Sequence, residues 1–234
     1  GPLERRRFLD VELCQLDKVY VHNLVKYNMV LLQRNKLLKE LNFRPEYEET
    51  LDVWDLQLVQ YGTELIRRRQ NFVEQLNEIV KKIHLQLSGG KEELLLEYEP
   101  NIAAGQFEQR LFQNRNMDKK LKTTNAGPHR DDINFLIDGI DIRKFGSQGQ
   151  QRTVALSLKL AEIDLVKQIV KDYPVLLLDD VLSELDRGRQ QQLLAGIDHI
   201  QTMITCTGLD DFVNHRFPVD KIYKVEKGSV TAEN

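Results

Sequence analysis

Apolar residues recur at helical spacing along the first part of the chain. The intervals between them are three, four or seven residues, which places the side chains on one face of a helix. This run ends before Pro45, a residue that disfavours helix in the position ahead of it. The run consists of Leu16, Tyr20, Leu24, Tyr27, Leu31, Leu38 and Leu41.

A second run repeats every seven residues and predicts a helix from about residue 46 to residue 87, roughly 60 Å long at 1.5 Å per residue. The sequence Ser88-Gly89-Gly90 ends it. Two amphipathic helices joined by a short turn predict an antiparallel hairpin, which is either a plain packing element or an arm that docks a partner protein. The second run consists of Leu51, Leu58, Leu65, Phe72 and Ile79.

From residue 93 onward, strand patterns alternate with helical patterns, which predicts an α/β fold. The clearest strand signal is a hairpin at 132–145 with Asp138-Gly139 as its turn. Two short apolar runs, at 174–178 and 202–207, have the composition of buried strands. The remaining predicted elements are strands around a Lys227-Gly228 turn at 220–230, a strand at 93–100, and helices at 105–122, 150–170 and 186–197.

Composition narrows the class of protein without identifying it. The 234 residues carry a net charge of −3, so no global basic field indicates a nucleic-acid-binding protein. The two cysteines, Cys14 and Cys206, lie far apart and favour a reducing, cytoplasmic location over a disulfide framework. No apolar run approaches the roughly 20 residues of a membrane span, and we expect no membrane partner.

The sequence YPVLLLDDVLSELD, residues 173–186, carries the first candidate chemistry. Its apolar strand runs directly into Asp179 and Asp180, as in strands that deliver carboxylates to a magnesium–phosphate site. Strand ends also carry aspartate to cap the next element, so the pair alone leaves both interpretations open. Ser183 or Asp186 can cap the helix that follows.

The sequence FGSQGQQRT, residues 145–153, carries the second candidate chemistry. Gly146, Ser147 and Gly149 precede a helix, and small residues there leave backbone N–H groups open to phosphate oxygens at the positive helix end. An ordinary N-cap by Ser147 explains the same residues. The two segments together are more specific than either one alone.

FGSQGQQRT followed by LLLDDVLSELD resembles the RecF family of ABC-type ATPases, which act in chromosome maintenance. GPHRDD at 127–132 and ERRRFLD at 4–10 are also similar to RecF segments, so the resemblance covers nearly the whole chain. It implies an α/β fold with a long antiparallel helical arm and the C-terminal part of an ABC-type P-loop ATPase head. The arm and second lobe then occupy residues 4–122, and the signature-motif region of the ATPase lobe occupies residues 123–234.

The resemblance implies that one group of residues acts across a dimer interface. Ser147, Gly149 and Gln150 match the signature motif, which contacts the γ-phosphate of a nucleotide held by the other subunit. Gln148 stands where many transporters of this class have glycine, a variation that suits the RecF branch. Asp186 matches the loop that crosses the interface.

A second group is implied to act on the metal and the attacking water. Asp179 matches the carboxylate that holds Mg²⁺, and Asp180 matches the carboxylate that orients or activates the water. Most transporter ATPases have glutamate at the latter position, and aspartate is shorter. Thr207 occupies the switch position where many relatives have histidine, which makes proton chemistry there doubtful.

The lysine-containing phosphate loop, G-x-x-x-x-G-K-[ST], does not occur in the chain. In the RecF family this loop lies in an N-terminal lobe, ahead of the segment that ERRRFLD matches. The resemblance therefore implies a chain that lacks that lobe and holds half of a dimeric ATP site. We expect the chain alone to be inactive and the intact protein to be a weak DNA-linked ATPase that uses ATP and Mg²⁺.

Basic side chains between residues 101 and 152 number nine against six acidic ones. They form either a surface for DNA phosphates or a solvated face of mixed charge. His129 also fits a purely structural loop. Candidate DNA or partner contacts are His129, Arg130, Arg110, Lys119, Lys120 and Lys122.

Two functions fit the sequence. The first is an ATP-dependent DNA-binding protein of recombinational repair and replication-fork maintenance. The family implies as its partners single- and double-stranded DNA at gaps or junctions, a RecR-type recombination mediator and, with ATP, a second RecF subunit. The second is a non-catalytic adaptor that has an ABC-like lobe and a helical docking arm.

Overall fold

The computed structural model describes residues 1–197, 200–206 and 219–233. The chain divides into two compact units, Gly1–Asp172 and Tyr173–Asn234. The lobes implied by the family resemblance, residues 4–122 and 123–234, are divided at a different place, and that division stays a prediction. None of the helices in the described ranges is long and apolar enough to cross a membrane.

The first unit contains six helices and one sheet among its described elements. The helices are α1 (Pro2–Leu16), α2 (Lys18–Glu40), α3 (Leu51–Leu87), α4 (Phe107–Leu121), α5 (Ile142–Phe145) and α6 (Gln148–Val170). The strands are β1 (Leu94–Glu99), β2 (Asp132–Ile137) and β3 (Ile140–Asp141). Short 3-10 helices lie at Pro45–Thr50, Ala104–Gln106 and Pro128–Arg130.

The first helical run is interrupted at Asp17, which the periodic pattern did not predict. Asp17 has an extended backbone, and its side chain accepts hydrogen bonds from the N–H groups of Val19 and Tyr20. It therefore caps α2 and separates it from α1. Asp17 is not one of the apolar residues of the run, so the apolar face continues across the break. Tyr20 and Tyr27 on this face are buried.

The predicted hairpin of two long helices is confirmed, with α2 packed against α3. Leu58, Leu65 and Phe72 of the seven-residue run lie in the main core. Near the connection, Leu38 and Leu51 belong to a second, smaller apolar cluster. Both stripes are satisfied within the chain, which favours the packing interpretation for these faces, and the docking arm stays a prediction.

The sheet of the first unit packs against α3. Its order is β1-β2-β3, with both pairs antiparallel. The predicted Asp138-Gly139 turn is present, but the second strand is only two residues long, so the predicted hairpin at 132–145 is wrong beyond Asp141. There Asp141 accepts a hydrogen bond from the Arg143 N–H and caps the short helix α5 instead.

Among its described elements, the second unit contains two small sheets and one α-helix. Strands β4 (Leu176–Asp179) and β5 (Thr202–Thr205) are parallel neighbours, and α7 (Arg187–Gly196) lies between them in the chain. Strands β6 (Ile222–Glu226) and β7 (Ser229–Glu233) pair through the predicted turn. Leu178 is buried but Leu177 is 69% exposed, so the prediction of a buried strand at 174–178 is wrong at Leu177.

A buried guanidinium, that of Arg34, connects the helical hairpin to α4. Its Nε donates to Asp55 over 2.6 Å, and its Nη1 donates to Asp118 over 2.8 Å and to Thr124 over 2.9 Å. The Arg34 and Asp118 side chains are both fully buried. Removing one partner of a buried ion pair is strongly destabilising. The remaining charge then stays buried, away from water, without an opposite charge to compensate it.

We expect Asp118→Ala to lower the free energy of unfolding by about 3 to 5 kcal/mol, since it leaves the Arg34 charge buried with one carboxylate fewer. Chemical denaturation monitored by circular dichroism measures the change. A matched control is Glu40→Ala, which removes the acid of the Lys36–Glu40 pair, 70% and 45% exposed. That control should cost less than about 1 kcal/mol. Equal effects of the two substitutions would contradict the anchoring role of Arg34.

A second buried cluster joins α1 to α6. The Lys159 Nζ lies 2.8 Å from the Glu162 Oε2 and 3.5 Å from the Glu12 Oε1. Burial, together with the nearby Glu12 carboxylate, raises the pKa of Glu162 to about 7, although Lys159 opposes the shift. The folded protein therefore holds this proton at pH values where the unfolded chain releases it.

Glu162 should make stability fall as pH rises. Its contribution is complete below about pH 4.5 and is lost as the pH passes through about 7. We expect Glu162→Gln, which cannot ionise, to remove this slope and to be more stable than the parent at pH 8 by at most about 3 kcal/mol. Denaturation at pH 5 and pH 8 measures the difference, with Glu97→Gln on the exposed side of β1 as control. A variant with the same slope as the parent would rule out Glu162 as its source.

Candidate functional site

The predicted signature segment forms the start of α6. Ser147 is the N-cap: its Oγ accepts from the Gln150 N–H at 3.2 Å, and the Gln150 Oε1 accepts from the Ser147 N–H at 2.9 Å. This reciprocal capping box satisfies two N–H groups, while those of Gln148 and Gly149 point out of the helix end. Both interpretations of Ser147 are therefore compatible, because the cap holds the backbone in the form that suits an anion.

The glycine that precedes the cap is required by close packing. A Cβ on Gly146 would lie 2.5 Å from the carbonyl oxygen of Ile142. The chain can therefore turn from α5 into α6 only with glycine here. Ser147 and Gln148 are exposed at this turn, so the segment presents backbone and small side chains to solvent.

The Gln150 side chain also has a partner that the sequence did not indicate. Its Nε2 donates to the Glu92 Oε1 over 3.0 Å. Glu92 lies just before β1, 58 residues earlier in the chain. No spacing rule connects the two positions, so only the fold could reveal the contact.

The predicted carboxylate pair lies at the end of β4 in the second unit, with both side chains exposed. Asp180 has a left-handed backbone, with φ of 53°. Its N–H donates to the carbonyl and the Oγ1 of Thr205, each over 3.1 Å, and the Thr205 Oγ1 donates to the Asp179 Oδ1 over 2.5 Å. Thr205 therefore fixes both aspartates, a role that sequence reasoning did not assign.

The donor set at this strand end fits Mg²⁺ in its chemistry. Magnesium prefers oxygen ligands and is often held by one or two carboxylates, with waters and phosphate oxygens completing the shell. Asp179 and Asp180 supply two exposed carboxylates on adjacent residues. In the described ranges no cluster of three or more His, Cys, Asp or Glu side chains could hold a metal ion.

Asp186 and Thr207 are the two remaining predicted positions. Asp186 is the N-cap of α7, where its Oδ1 accepts from the Arg189 N–H over 3.0 Å and its Oδ2 pairs with the Arg189 Nη1 at 3.1 Å. Its carboxylate is exposed but engaged. Thr207, the predicted switch residue, lies outside the described residues.

The GPHRDD segment forms a tightly bonded loop. Gly127 has φ of 135°, and a Cβ there would lie 2.4 Å from the Tyr27 hydroxyl. The His129 Nε2 lies 3.1 Å from the Thr124 carbonyl, which can only accept, so Nε2 carries the hydrogen and Nδ1 accepts from the Tyr27 hydroxyl at 2.7 Å. Burial lowers the pKa of His129 to about 4, so the ring is neutral near pH 7. This geometry favours the structural interpretation of His129.

The acidic end of the same segment is bound by two arginines. Asp131 is fully buried and accepts from the Arg69 Nη1 over 2.9 Å and from the hydroxyl of Tyr98. Asp132 forms a bidentate pair with Arg5, at 2.7 and 2.6 Å, and hydrogen bonding to Arg5 lowers the pKa of Asp132. The loop is therefore fixed to α1 and α3 at once.

The basic candidates around α4 do not form one continuous patch. Successive helical residues are rotated by about 100°, so Lys119 lies on the opposite side of α4 from Arg110. Lys119 also pairs with Glu48 at 2.7 Å. Arg130 is exposed, and its guanidinium is oriented by Thr124 and Asn125. The DNA roles of these residues, and of the exposed Lys120 and Lys122, stay predictions.

Sequence comparisons identify close relatives. No protein-family model matches the chain. It is 59% identical over 230 residues to the DNA replication and repair protein RecF of Agathobacter rectalis, and 55% identical over 236 residues to that of Lachnospira eligens. These alignments cover 98% and 100% of the chain, but 64% and 65% of the relatives. The chain thus spans less than two thirds of the length of these relatives.

Solved structures give a consistent result. One described as the recombination mediator protein RecF-ATP in the RecFOR pathway matches with a TM-score of 0.87 and 35% identity, over 100% of the chain and 64% of that structure's chain. An Smc head domain from Pyrococcus furiosus matches with a TM-score of 0.52 at 16% identity, over 100% and 57%, which is a likeness of fold alone. The predicted α/β architecture of an ABC-type ATPase head is therefore confirmed. Over nearly its whole length, this chain is therefore similar to RecF proteins in sequence and in fold.

Proposed function

We propose that this chain supplies the signature motif and the metal-binding carboxylates of an ATP-dependent DNA-binding protein of recombinational repair and replication-fork maintenance. The observation that carries the proposal is the start of α6. There the Ser147–Gln150 capping box leaves the N–H groups of Gln148 and Gly149 directed at solvent. A helix end of this form binds phosphate oxygens through its backbone and its dipole.

The proposal assigns different roles to the two aspartates. Asp179 stands at the strand end and takes the metal-facing role, while Asp180, on the left-handed turn after it, orients the attacking water. Thr205 holds the Asp179 carboxylate and the Asp180 backbone in place before any nucleotide binds. Bound Mg²⁺ would neutralise charge on the phosphates. Phosphoryl transfer depends more on this charge neutralisation than on covalent catalysis by the protein.

One group of residues in the chain acts in trans. Ser147, Gly149 and Gln150 face a nucleotide held by a second subunit, and Asp186 is a further residue that acts in trans. The named relatives act in DNA replication and repair, and one of the solved structures carries ATP. We accordingly propose, as partners in the cytoplasm, single- and double-stranded DNA at gaps or junctions, a RecR-type mediator and a second RecF subunit when ATP is present.

A chimera tests the proposal. The segment of Agathobacter rectalis RecF that aligns with this chain is replaced by the chain itself, and ATP turnover is measured with gapped DNA. We expect the chimera to hydrolyse ATP and the chain alone to show no turnover. Asp180→Asn in the chimera should preserve nucleotide binding and lower turnover roughly 100-fold or more, because the amide cannot act as a base.

The control for that variant is Asp220→Asn, which neutralises another exposed aspartate of the second unit. It should turn over ATP at the parental rate. Parental turnover by Asp180→Asn would refute the water-orienting role. A folded chimera without turnover, compared with active Agathobacter rectalis RecF, would refute the proposed function itself.

The DNA contact can be tested separately with the same chimera. Arg130→Gln removes an exposed charge, so we expect weaker binding to gapped DNA and a salt slope smaller by about 1. His129 is neutral above pH 6, so binding should show no titration step assignable to it between pH 6 and 8. The measurement is DNA affinity by fluorescence anisotropy across salt and pH. The control is Arg44→Gln, an exposed residue in the connection between α2 and α3. An unchanged slope for Arg130→Gln would exclude this residue from the DNA interface.

A further inference from the structure

The end of α3 contains a buried histidine that neither the signature nor the carboxylate pair accounts for. His84 lies in the last turn of α3 and is fully buried. Its Nδ1 is 2.8 Å from the Ser157 Oγ on α6, and its Nε2 is 3.3 Å from the Glu92 Oε2. His84 thus stands between the long helix, the signature helix and the segment before β1.

Hydrogen-bond roles assign the protons of this cluster. The Ser157 Oγ lies 2.7 Å from the Thr153 carbonyl, which can only accept, so the single hydroxyl proton points there. Ser157 must then accept from His84, which places a hydrogen on Nδ1. A bare Nε2 would face a carboxylate oxygen at 3.3 Å, two acceptors in mutual repulsion. A hydrogen between Nε2 and Oε2 removes this repulsion, so His84 and Glu92 act as a pair that shares a proton.

The other oxygen of Glu92 controls the signature side chain. The Glu92 Oε1 accepts from the Gln150 Nε2 over 3.0 Å. A carboxylate can only accept, so it dictates which end of the Gln150 amide faces it. The Oε1 of Gln150 is thereby left to accept from the Ser147 N–H. With the amide turned around, its NH₂ would face that N–H, and the capping box would be lost.

We propose that Glu92 and His84 are positioning residues for the signature motif: His84 orients the Glu92 carboxyl group, Glu92 fixes the Gln150 amide, and Gln150 in turn fixes the Ser147–Gly149 backbone. The same contacts tie the end of α3 to the start of α6, so the long helix and the phosphate-facing turn form one bonded unit. The step from this backbone to a nucleotide rests on the proposed function, whereas the positioning itself does not.

The first test measures amide hydrogen exchange in this chain by NMR. Glu92→Lys presents a donor in place of an acceptor, so the Gln150 amide should turn and release the Ser147 N–H. We expect exchange at Ser147 to be roughly fivefold to tenfold faster, the loss of about one hydrogen bond. The matched control is Glu93→Lys, the same change at the next residue, whose exposed side chain pairs with Lys81. It should leave Ser147 exchange unchanged.

A charge exchange provides the rescue. Gln150→Glu alone sets two carboxylates against each other and should also accelerate Ser147 exchange. When Glu92→Gln is added, the amide introduced at position 92 donates to the carboxylate introduced at position 150, which also suits a capping box. Exchange at Ser147 should then return to within about twofold of the parent. A role limited to general stability predicts no such rescue.

His84→Gln tests the other half of the pair. It replaces the ring that faces the Glu92 Oε2 while leaving Gln150 intact, so exchange at Ser147 should rise by a smaller factor than in Glu92→Lys. Unchanged Ser147 exchange in Glu92→Lys, or faster exchange spread evenly over α3 and α6, would overturn the proposal. Failure of the rescue in a folded double variant would overturn it as well.

The second test measures turnover in the chimera with Agathobacter rectalis RecF. Glu92→Lys should lower kcat by roughly tenfold or more relative to Glu93→Lys, with nucleotide binding to the monomer unchanged, because a transition-state contact is displaced. Equal kcat for the two variants in an active chimera would overturn the link from positioning to reaction. An inactive parent chimera would instead refute the proposed function, and the exchange measurements would still decide the positioning.

Discussion

Two buried arginines hold the first unit together, and most of its other features depend on them. Arg34 joins α2 to Asp55 and Asp118, while Arg69 joins α3 to Asp10 and Asp131. Each guanidinium thus binds its own helix to a segment far away in sequence. Apolar stripes bring the long helices together without fixing their register, whereas a planar donor with fixed acceptors does fix it.

Matched hydrogen-bond donors and acceptors also fix the geometry of the signature segment. A carboxylate that can only accept sets the orientation of Gln150, as Asp131 sets that of Arg69 and Tyr98. Such networks keep their geometry because every alternative leaves a buried group unsatisfied. Precision at the exposed turn therefore originates below the surface, in residues that would never contact a phosphate.

Periodic and local features could be predicted from sequence. The stripes of α2 and α3, the cap at Ser147 and the aspartates after β4 all follow from spacing and residue type. The break at Asp17 was missed because the apolar stripe continues through it. Thr205 and Glu92 were missed for another reason: their partners, Asp179 and Gln150, are distant in sequence, and no local pattern encodes such contacts.

The long separations within the arginine networks also constrain synthesis on the ribosome. Asp118 follows Arg34 by 84 residues, and Asp131 follows Arg69 by 62. At about 5 to 20 residues per second, each arginine waits roughly 3 to 17 s for its later carboxylate. During that interval the apolar hairpin cannot close fully without burying an incompletely paired charge. The speed of translation, rather than the packing of the helices, therefore sets the earliest time at which this core can exclude water.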